Sequence, residues 1–127
     1  MKGEGAAAED PLASTEPWNL VADGYTAEAL PLLEKFARDA LLLASLPPGS
    51  RILDVATGPG TLALLAAREG AMVSAIDFSP AMVANLRRRA DEAGLTLADV
   101  RVGDGQALPY EDNTFDAAFS LFGLMFL

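Results

Sequence analysis

Residues 51–79 read RILDVATGPGTLALLAAREGAMVSAIDFS: an apolar run, a glycine turn, an alanine- and leucine-rich segment, and a second apolar run. The same alternation continues toward the end of the chain, with glycine or proline at the junctions. It predicts strands at 51–56, 72–78 and 96–102, a fourth strand from 114 onward, and helices at 61–69 and 80–94. Strands that alternate with helices form a parallel sheet with right-handed crossovers, so the sequence predicts an α/β fold.

The chain before this alternation divides into two further units. Residues 1–15 mix glycine, alanine, acidic residues and proline without periodicity, which predicts a flexible tail. Residues 16–49 predict N-terminal helices: a short one that stops at Gly24, and a longer amphipathic one that begins with Thr26 as its cap. Residues 50–127 form the third predicted unit, which contains the sheet.

Composition excludes several kinds of chemistry. Without Cys or His, the chain has no disulfides, no thiolate nucleophile, no zinc site of the usual ligand sets and no His-based acid–base catalysis. A formal charge of -9 repels phosphate backbones, so no nucleic acid partner is expected, and the basic run Arg87–Arg89 is interpreted as a solvated helix face. No apolar run reaches the ~20 residues of a membrane-spanning helix. The N-terminus lacks a leader pattern, so the expected location is the cytoplasm.

The predicted strands end in residues that suit a ligand. In an open parallel sheet, ligands bind outside the carboxyl ends of the strands. Those ends carry the glycine turn 57–60, Asp77 and Asp104. Gly58 and Gly60 let backbone approach a ligand closely, and a carboxylate at Asp77 can accept hydrogen bonds from two ribose hydroxyls. The sequence therefore predicts a nucleotide-like pocket at this edge.

The glycine pattern alone leaves the ligand open. GPGTLA satisfies the loose pattern of nicotinamide- and flavin-dinucleotide folds, although such a lone pattern is weak. Asp54 counts against a dinucleotide, because an acidic group near the turn repels a pyrophosphate and suits a cationic ligand better. Asp104 is placed to accept a hydrogen bond from an exocyclic amine such as that of adenine. The turn has no Lys, so it is not a Walker-type phosphate loop either.

Three stretches together resemble the class I S-adenosylmethionine-dependent methyltransferases, and in particular the small-molecule group similar to the ubiquinone and menaquinone biosynthesis enzymes. They are ILDVATGPGTLALLAA, VSAIDFSPAMVANLRRRA and VRVGDGQALPYEDNTFDAAFSLFGL, in that family's order and spacing. The resemblance covers roughly residues 16–126. It implies a Rossmann-like sheet with strand order 3-2-1-4 and S-adenosyl-L-methionine as cofactor.

The resemblance also assigns cofactor-binding residues. Those around the glycine turn would line the methionine half or support the loop: Asp54, Ala56, Thr57, Gly58 and Gly60. Those after the second and third strands would hold the ribose and adenine: Asp77, Phe78, Ser79, Asp104, Gly105 and Gln106. Ser120 and Phe122 would face the methionine end, and Tyr25 would close a lid formed by the helix around WNLVADGY. Ala56 departs from the family, where many members have the first glycine of the motif.

The family's sheet has about three more strands than this chain contains, and they usually supply much of the methyl acceptor's pocket. We therefore expect a fragment or truncated form of a methyltransferase that acts on a small molecule, with no catalytic residue assigned. Two alternatives stay open. One is a non-catalytic S-adenosylmethionine-binding protein, or a half-domain that a dimer completes through its exposed fourth strand. The other is a dinucleotide-binding half-domain of an oxidoreductase.

Overall fold

The computed structural model describes residues 14–121, except for the side chains of residues 23 and 25–29. The described chain alternates strands and helices after one long N-terminal helix. The elements are α1 (Glu16–Ala44), β1 (Arg51–Val55), α2 (Thr61–Arg68), β2 (Met72–Asp77), α3 (Pro80–Ala93), β3 (Asp99–Val102) and β4 (Ala117–Phe119). None of the helices in this part of the chain is long and apolar enough to cross a membrane.

The strands form one parallel sheet in the order β3-β2-β1-β4, which confirms the predicted α/β fold and strand order. β1 lies in the interior, where Asp54 is beside Ala75 of β2 and Phe119 of β4. The crossover from β1 through α2 to β2 returns the chain to the neighbouring position, as short βαβ units do. The carboxyl ends of β1 and β2 therefore lie side by side.

The helices cover one face of the sheet. Ala37 and Leu41 of α1 pack with Leu62 of α2 and Leu86 of α3 against a cluster that includes Ile52. On the other face, a smaller cluster contains Leu53, Val55 and Ile76, with Tyr110 and Phe115 packed against it. The two aromatic rings meet edge to face at a centroid distance of 5.1 Å. The loop between β3 and β4 thus lies over the face that the helices leave open.

The N-terminal region departs from the sequence prediction, because one helix replaces the expected two. α1 runs through both Gly24 and Pro31, so the predicted stop and the predicted cap at Thr26 are wrong. A glycine inside a helix costs only about 1 kcal/mol, which tertiary packing can offset. Here α1 packs against both α2 and α3 and buries Ala22, with Leu33 further along.

Strand ends also differ from the predicted ones. β3 pairs with β2 only from Asp99, and β4 is confined to the three residues that pair with Ile52–Asp54. Just before β4, the Asp116 N–H donates to the Arg51 carbonyl at 2.7 Å, and the Asp116 carboxylate accepts from the Arg51 N–H at 2.7 Å. The predicted continuation of the fourth strand beyond residue 121, and most of the predicted tail, lie outside the described residues.

Candidate functional site

The glycine turn joins β1 to α2 at the carboxyl edge of the sheet. The Thr57 N–H donates to the Ile76 carbonyl at 3.0 Å, which continues the β1–β2 pairing into the turn. The Gly60 N–H then donates back to the Thr57 carbonyl at 3.0 Å and closes a tight turn. Ala56, Gly58 and Gly60 all have positive φ, at 56°, 57° and 83°. The left-handed backbone at Ala56 explains why many members of the methyltransferase family that the sequence resembles have glycine at this position.

The two glycines have different roles. A Cβ added at Gly60 would lie 2.0 Å from Leu86 Cδ1, so glycine is needed there for the close packing of α3 against the turn. A Cβ added at Gly58 would meet nothing within 4 Å. Among the described residues, the space over Gly58 is therefore open, as a turn that receives a ligand requires.

Asp77, the last residue of β2, connects the turn to the next helix. Its Oδ2 accepts from the Gly58 N–H at 2.8 Å, and its Oδ1 accepts from the Ser79 N–H at 2.9 Å. Burial raises the pKa of this carboxyl, while the hydrogen bonds from Ser79 and Gly58 act in the opposite direction. A carboxylate offers about four acceptor positions. The Gly58 and Ser79 N–H groups use two of them, so acceptor positions remain on Asp77, and its predicted role in holding a ribose stays a prediction.

Asp54 lies beneath the turn, in the sheet interior. Its Oδ2 accepts from the Thr57 hydroxyl at 2.7 Å, whereas its Oδ1 is buried and has no hydrogen-bond partner within residues 14–121. Burial is the main reason that the pKa of Asp54 is raised to about 7; repulsion from Asp77 adds to the rise, and Thr57 opposes it. The Ala63 N–H in the first turn of α2 also favours the charged form, without reaching hydrogen-bond geometry. Asp54 thus supports the turn and retains one free acceptor.

Further buried polar atoms lack partners at the same edge. Besides Asp54 Oδ1, the hydroxyls of Thr61 and Ser120 are buried without a hydrogen bond among the described residues. Buried polar groups in folded proteins are almost always paired, so unpaired ones suggest an absent partner. Ser120 was among the predicted residues. Thr61 was missed, although it is the first residue of the helix that follows the glycine turn. Such a polar edge fits a cofactor with ammonium, carboxylate and hydroxyl groups.

The segment after β3 comes beside Asp77, as predicted. The Gly103 N–H donates to the Asp77 carbonyl at 2.9 Å, which places Asp104, Gly105 and Gln106 directly after the point of contact. Asp104 is exposed, and its Oδ1 accepts from the Gln106 N–H at 2.8 Å. Its second oxygen has no such partner in the hydrogen bonds of that loop. The role of this segment in holding adenine stays a prediction.

Ser79 has the predicted capping role together with a contact that the sequence did not reveal. Its hydroxyl accepts from the Met82 N–H at 3.2 Å, which caps α3. The same hydroxyl donates to Asn19 Oδ1 of α1 at 2.6 Å, and the Ala81 N–H donates to that oxygen at 3.2 Å. Asn19 therefore fastens α1 to the start of α3.

The described residues include Phe78 and the backbone of Tyr25 but not Phe122. Phe78 lies half-buried between Asp77 and Ser79. Tyr25 belongs to α1, but its side chain lies outside the described residues, so its role as a lid stays a prediction. Phe122 also lies outside the described part of the chain.

Comparison with known proteins identifies the family to which this chain belongs. Residues 52–127 match the family described as Methyltransferase domain. The demethylmenaquinone methyltransferase of Thermus thermophilus is 42% identical over 91 residues, which cover 70% of this chain and 41% of that protein. Across the curated relatives that it matches, the chain spans 30 to 41% of their length.

Solved structures with a similar fold include proteins of more than one activity. A SAM-dependent methyltransferase from Geobacter sulfurreducens, in complex with S-adenosyl-L-homocysteine, has a TM-score of 0.62 and 25% identity, covering 71% of this chain and 36% of that one. The 4+2 cyclase SpnF has a TM-score of 0.61 and 36% identity, covering 67% of this chain and 32% of that one. Similarity at this level therefore does not by itself define the reaction.

Proposed function

Because the chain belongs to the Methyltransferase domain family, we propose that it carries the S-adenosyl-L-methionine-binding half of a methyltransferase that acts on a small molecule. The observation that carries this proposal is the pairing of Asp77 with the Gly58 N–H beneath an open space. The buried carboxylate of Asp77, which is expected to hold the ribose, is thereby hydrogen-bonded to the turn that is expected to receive the rest of the cofactor. The Geobacter sulfurreducens structure with S-adenosyl-L-homocysteine supports the choice of cofactor.

The residues of this chain would bind and orient the cofactor. Asp77 has two unused acceptor positions for ribose hydroxyls. Asp54 has one unpaired oxygen and a pKa of about 7, so a nearby ammonium group would favour its ionised form. Gly58 has no side chain to obstruct the ligand. When bound, S-adenosylmethionine supplies a methyl group already activated on a sulfonium.

Methyl transfer of this kind depends mainly on the alignment of donor and acceptor and on the polar surroundings of the sulfonium. It therefore needs no nucleophilic or basic side chain from this chain, which has no Cys and no His. The likeness to a demethylmenaquinone methyltransferase supports a small-molecule acceptor. A net charge of -9 supports the absence of a nucleic acid partner, and we place the enzyme in the cytoplasm.

A dinucleotide-binding half-domain is less well supported. Asp54 is buried directly beneath the glycine turn, where a pyrophosphate would lie in a dinucleotide fold. Placing a phosphate there would raise the cost of ionising this carboxyl still further. The same buried acid favours a cationic ligand, which is what S-adenosylmethionine is.

Calorimetric titration with S-adenosyl-L-homocysteine tests the cofactor assignment. We expect micromolar binding by the unaltered protein, no binding of NADH, and at least a tenfold loss of affinity in Asp77→Asn, which reduces the acceptor capacity at the ribose. Asp112→Asn is the matched control, because Asp112 is an exposed carboxylate in the loop before β4. Binding of NADH but not of S-adenosyl-L-homocysteine would contradict the proposal.

Binding alone does not distinguish a transferase from a cofactor-binding protein without that activity. The second measurement is transfer of a labelled methyl group from S-adenosylmethionine to demethylmenaquinone and to other quinone precursors. Product formation that Asp77→Asn abolishes would support the enzyme. Tight cofactor binding without transfer to any such acceptor would favour the non-catalytic alternative.

A further inference from the structure

The three consecutive arginines at the middle of α3 do not share one environment. Successive residues of a helix point about 100° apart, so a run of three spans about 200° of the helix surface. Arg87 and Arg88 are both exposed, and the Arg87 guanidinium also donates to the Val100 carbonyl of β3 at 2.8 Å. Arg89 points toward the glycine turn and is half-buried. The interpretation of this run as a solvated face therefore fits Arg87 and Arg88, which are exposed, and is wrong for Arg89.

Arg89 contacts the turn itself. Its Nη1 donates to the Pro59 carbonyl at 2.7 Å, across thirty positions of sequence. Burial lowers the pKa of this guanidinium, and the charge of Glu34 on α1 opposes the change. An arginine stays charged under these conditions, so the bond to Pro59 is charge-assisted. Such a bond holds one peptide group of the turn in a defined orientation.

A second side chain of α3 acts on the next residue of the turn. Leu86 lies one helical turn before Arg89 and occupies the position that a Gly60 Cβ would need. Pro59 itself is fully buried. α3 thus packs Leu86 against Gly60, and its Arg89 guanidinium donates a hydrogen bond to the Pro59 carbonyl.

The remaining contacts show what the arginine adds. The turn is held from β1 by the bond between Thr57 and Asp54, and from β2 by the bond between Gly58 and Asp77. Both of these contacts act on its first half and use the carboxylates expected to face the cofactor. In the second half, the side-chain hydrogen bond to a carbonyl comes from Arg89. It uses no atom expected to face the ligand, so it is not in competition with cofactor binding.

We propose that Arg89 is a positioning residue that holds the second half of the glycine turn in its cofactor-binding conformation from α3. The proposal rests on the function proposed above, and it adds a residue outside the pocket that tunes affinity for the methionine half of the cofactor. Arg89 does not touch the ligand in this account. It acts through the Pro59 carbonyl.

Three variants test this role. Arg89→Met removes the donor and keeps most of the length, Arg89→Lys keeps the charge with a shorter donor, and Arg88→Met removes an exposed neighbouring charge. We expect Arg89→Met to bind S-adenosyl-L-homocysteine about tenfold more weakly, since a charged hydrogen bond is lost. Arg89→Lys should recover part of that loss, and Arg88→Met should bind as the unaltered protein does.

Hydrogen exchange of the peptide that spans the turn supplies a readout that needs no ligand. In Arg89→Met the amides of residues 57, 58 and 60–64 should exchange faster, while those of β1 and β2 keep their protection. Unchanged exchange in the turn would overturn the proposal, and so would equal loss of affinity in Arg88→Met. If the unaltered protein fails to bind S-adenosyl-L-homocysteine, the proposed function fails, and the exchange measurement still decides whether Arg89 holds the turn.

Discussion

Replacing Asp54 by asparagine tests whether the buried carboxylate beneath the glycine turn destabilises the fold when it is ionised. The side chain is 1% exposed, and in the described part of the chain one of its two oxygens has no hydrogen-bond partner. Desolvation is the largest cause of its raised pKa, which is about 7 instead of 3.8. In the unfolded chain, the same group ionises near its ordinary value. Between these two values, the folded protein therefore binds a proton that the unfolded chain has released.

The sign and size of the effect follow from proton linkage. Because the folded-state pKa is raised, the contribution of Asp54 to stability is most favourable at low pH and is lost progressively as pH rises toward about 7. From pH 5 to pH 8, a shift of this size reduces the free energy of unfolding by about 3 kcal/mol, at 1.36 kcal/mol per pKa unit. That is a large part of the stability of a typical domain.

Urea denaturation at pH 5 and pH 8 measures this loss. We expect the free energy of unfolding of the unaltered protein to fall by about 3 kcal/mol more than that of Asp54→Asn, since the amide does not ionise. Comparing the two proteins removes the contribution of groups that titrate in both. Asp112→Asn, at an exposed carboxylate, should follow the unaltered protein. Equal pH dependence in the unaltered protein and Asp54→Asn would refute the reasoning.

Three further predictions follow from named contacts. Gly60→Ala should lower the free energy of unfolding by more than about 2 kcal/mol, because the added Cβ would clash with the Leu86 side chain. Gly24→Ala should raise it by about 1 kcal/mol, because Gly24 lies inside α1 and its Cβ would meet no described atom; urea denaturation measures both. In the same assay, Asn19→Ala should lower the free energy of unfolding by about 1–2 kcal/mol, because two hydrogen bonds between α1 and the start of α3 are lost. Lys35→Ala, an exposed control on the same helix, should change it by less than about 0.5 kcal/mol. Affinity for S-adenosyl-L-homocysteine should rise up to about tenfold from pH 6 to pH 8, as Asp54 ionises, and calorimetry of Asp54→Asn should show no such rise.

The sequence was sufficient for the central part of the fold because the signals there are local and agree with each other. Ser79 caps α3 and Gly94 ends it in a left-handed conformation, as the residue types predict. β1 is an apolar run between a proline pair and a glycine turn, so both of its ends are marked. The order of the strands came from resemblance, since periodicity alone does not say which strand lies beside which.

The N-terminal helix shows where local signals fail. Gly24 and Pro31 each weaken a helix, and the sequence predicted a break on that basis. The helix is nevertheless continuous, because Leu33, Ala37 and Leu41 bury one side of it against the rest of the domain. The free energy of that burial depends on the residues of α2 and α3 against which α1 packs, and these cannot be identified from the sequence of α1 alone.

The contacts of Asn19 and Arg89, which support the candidate site from neighbouring helices, could not be predicted from the sequence for a related reason. Asn19 meets Ser79 across 60 positions, and Arg89 meets Pro59 across 30. In sequence, each is an ordinary polar residue of an amphipathic helix. Their partners are, respectively, a capping hydroxyl and a backbone carbonyl. Backbone carbonyls have no sequence signature, because every residue has one. A run of arginines beside a glycine turn therefore becomes informative only when the crossover places the helix against the turn, since the direction of each side chain then decides which of them reaches it.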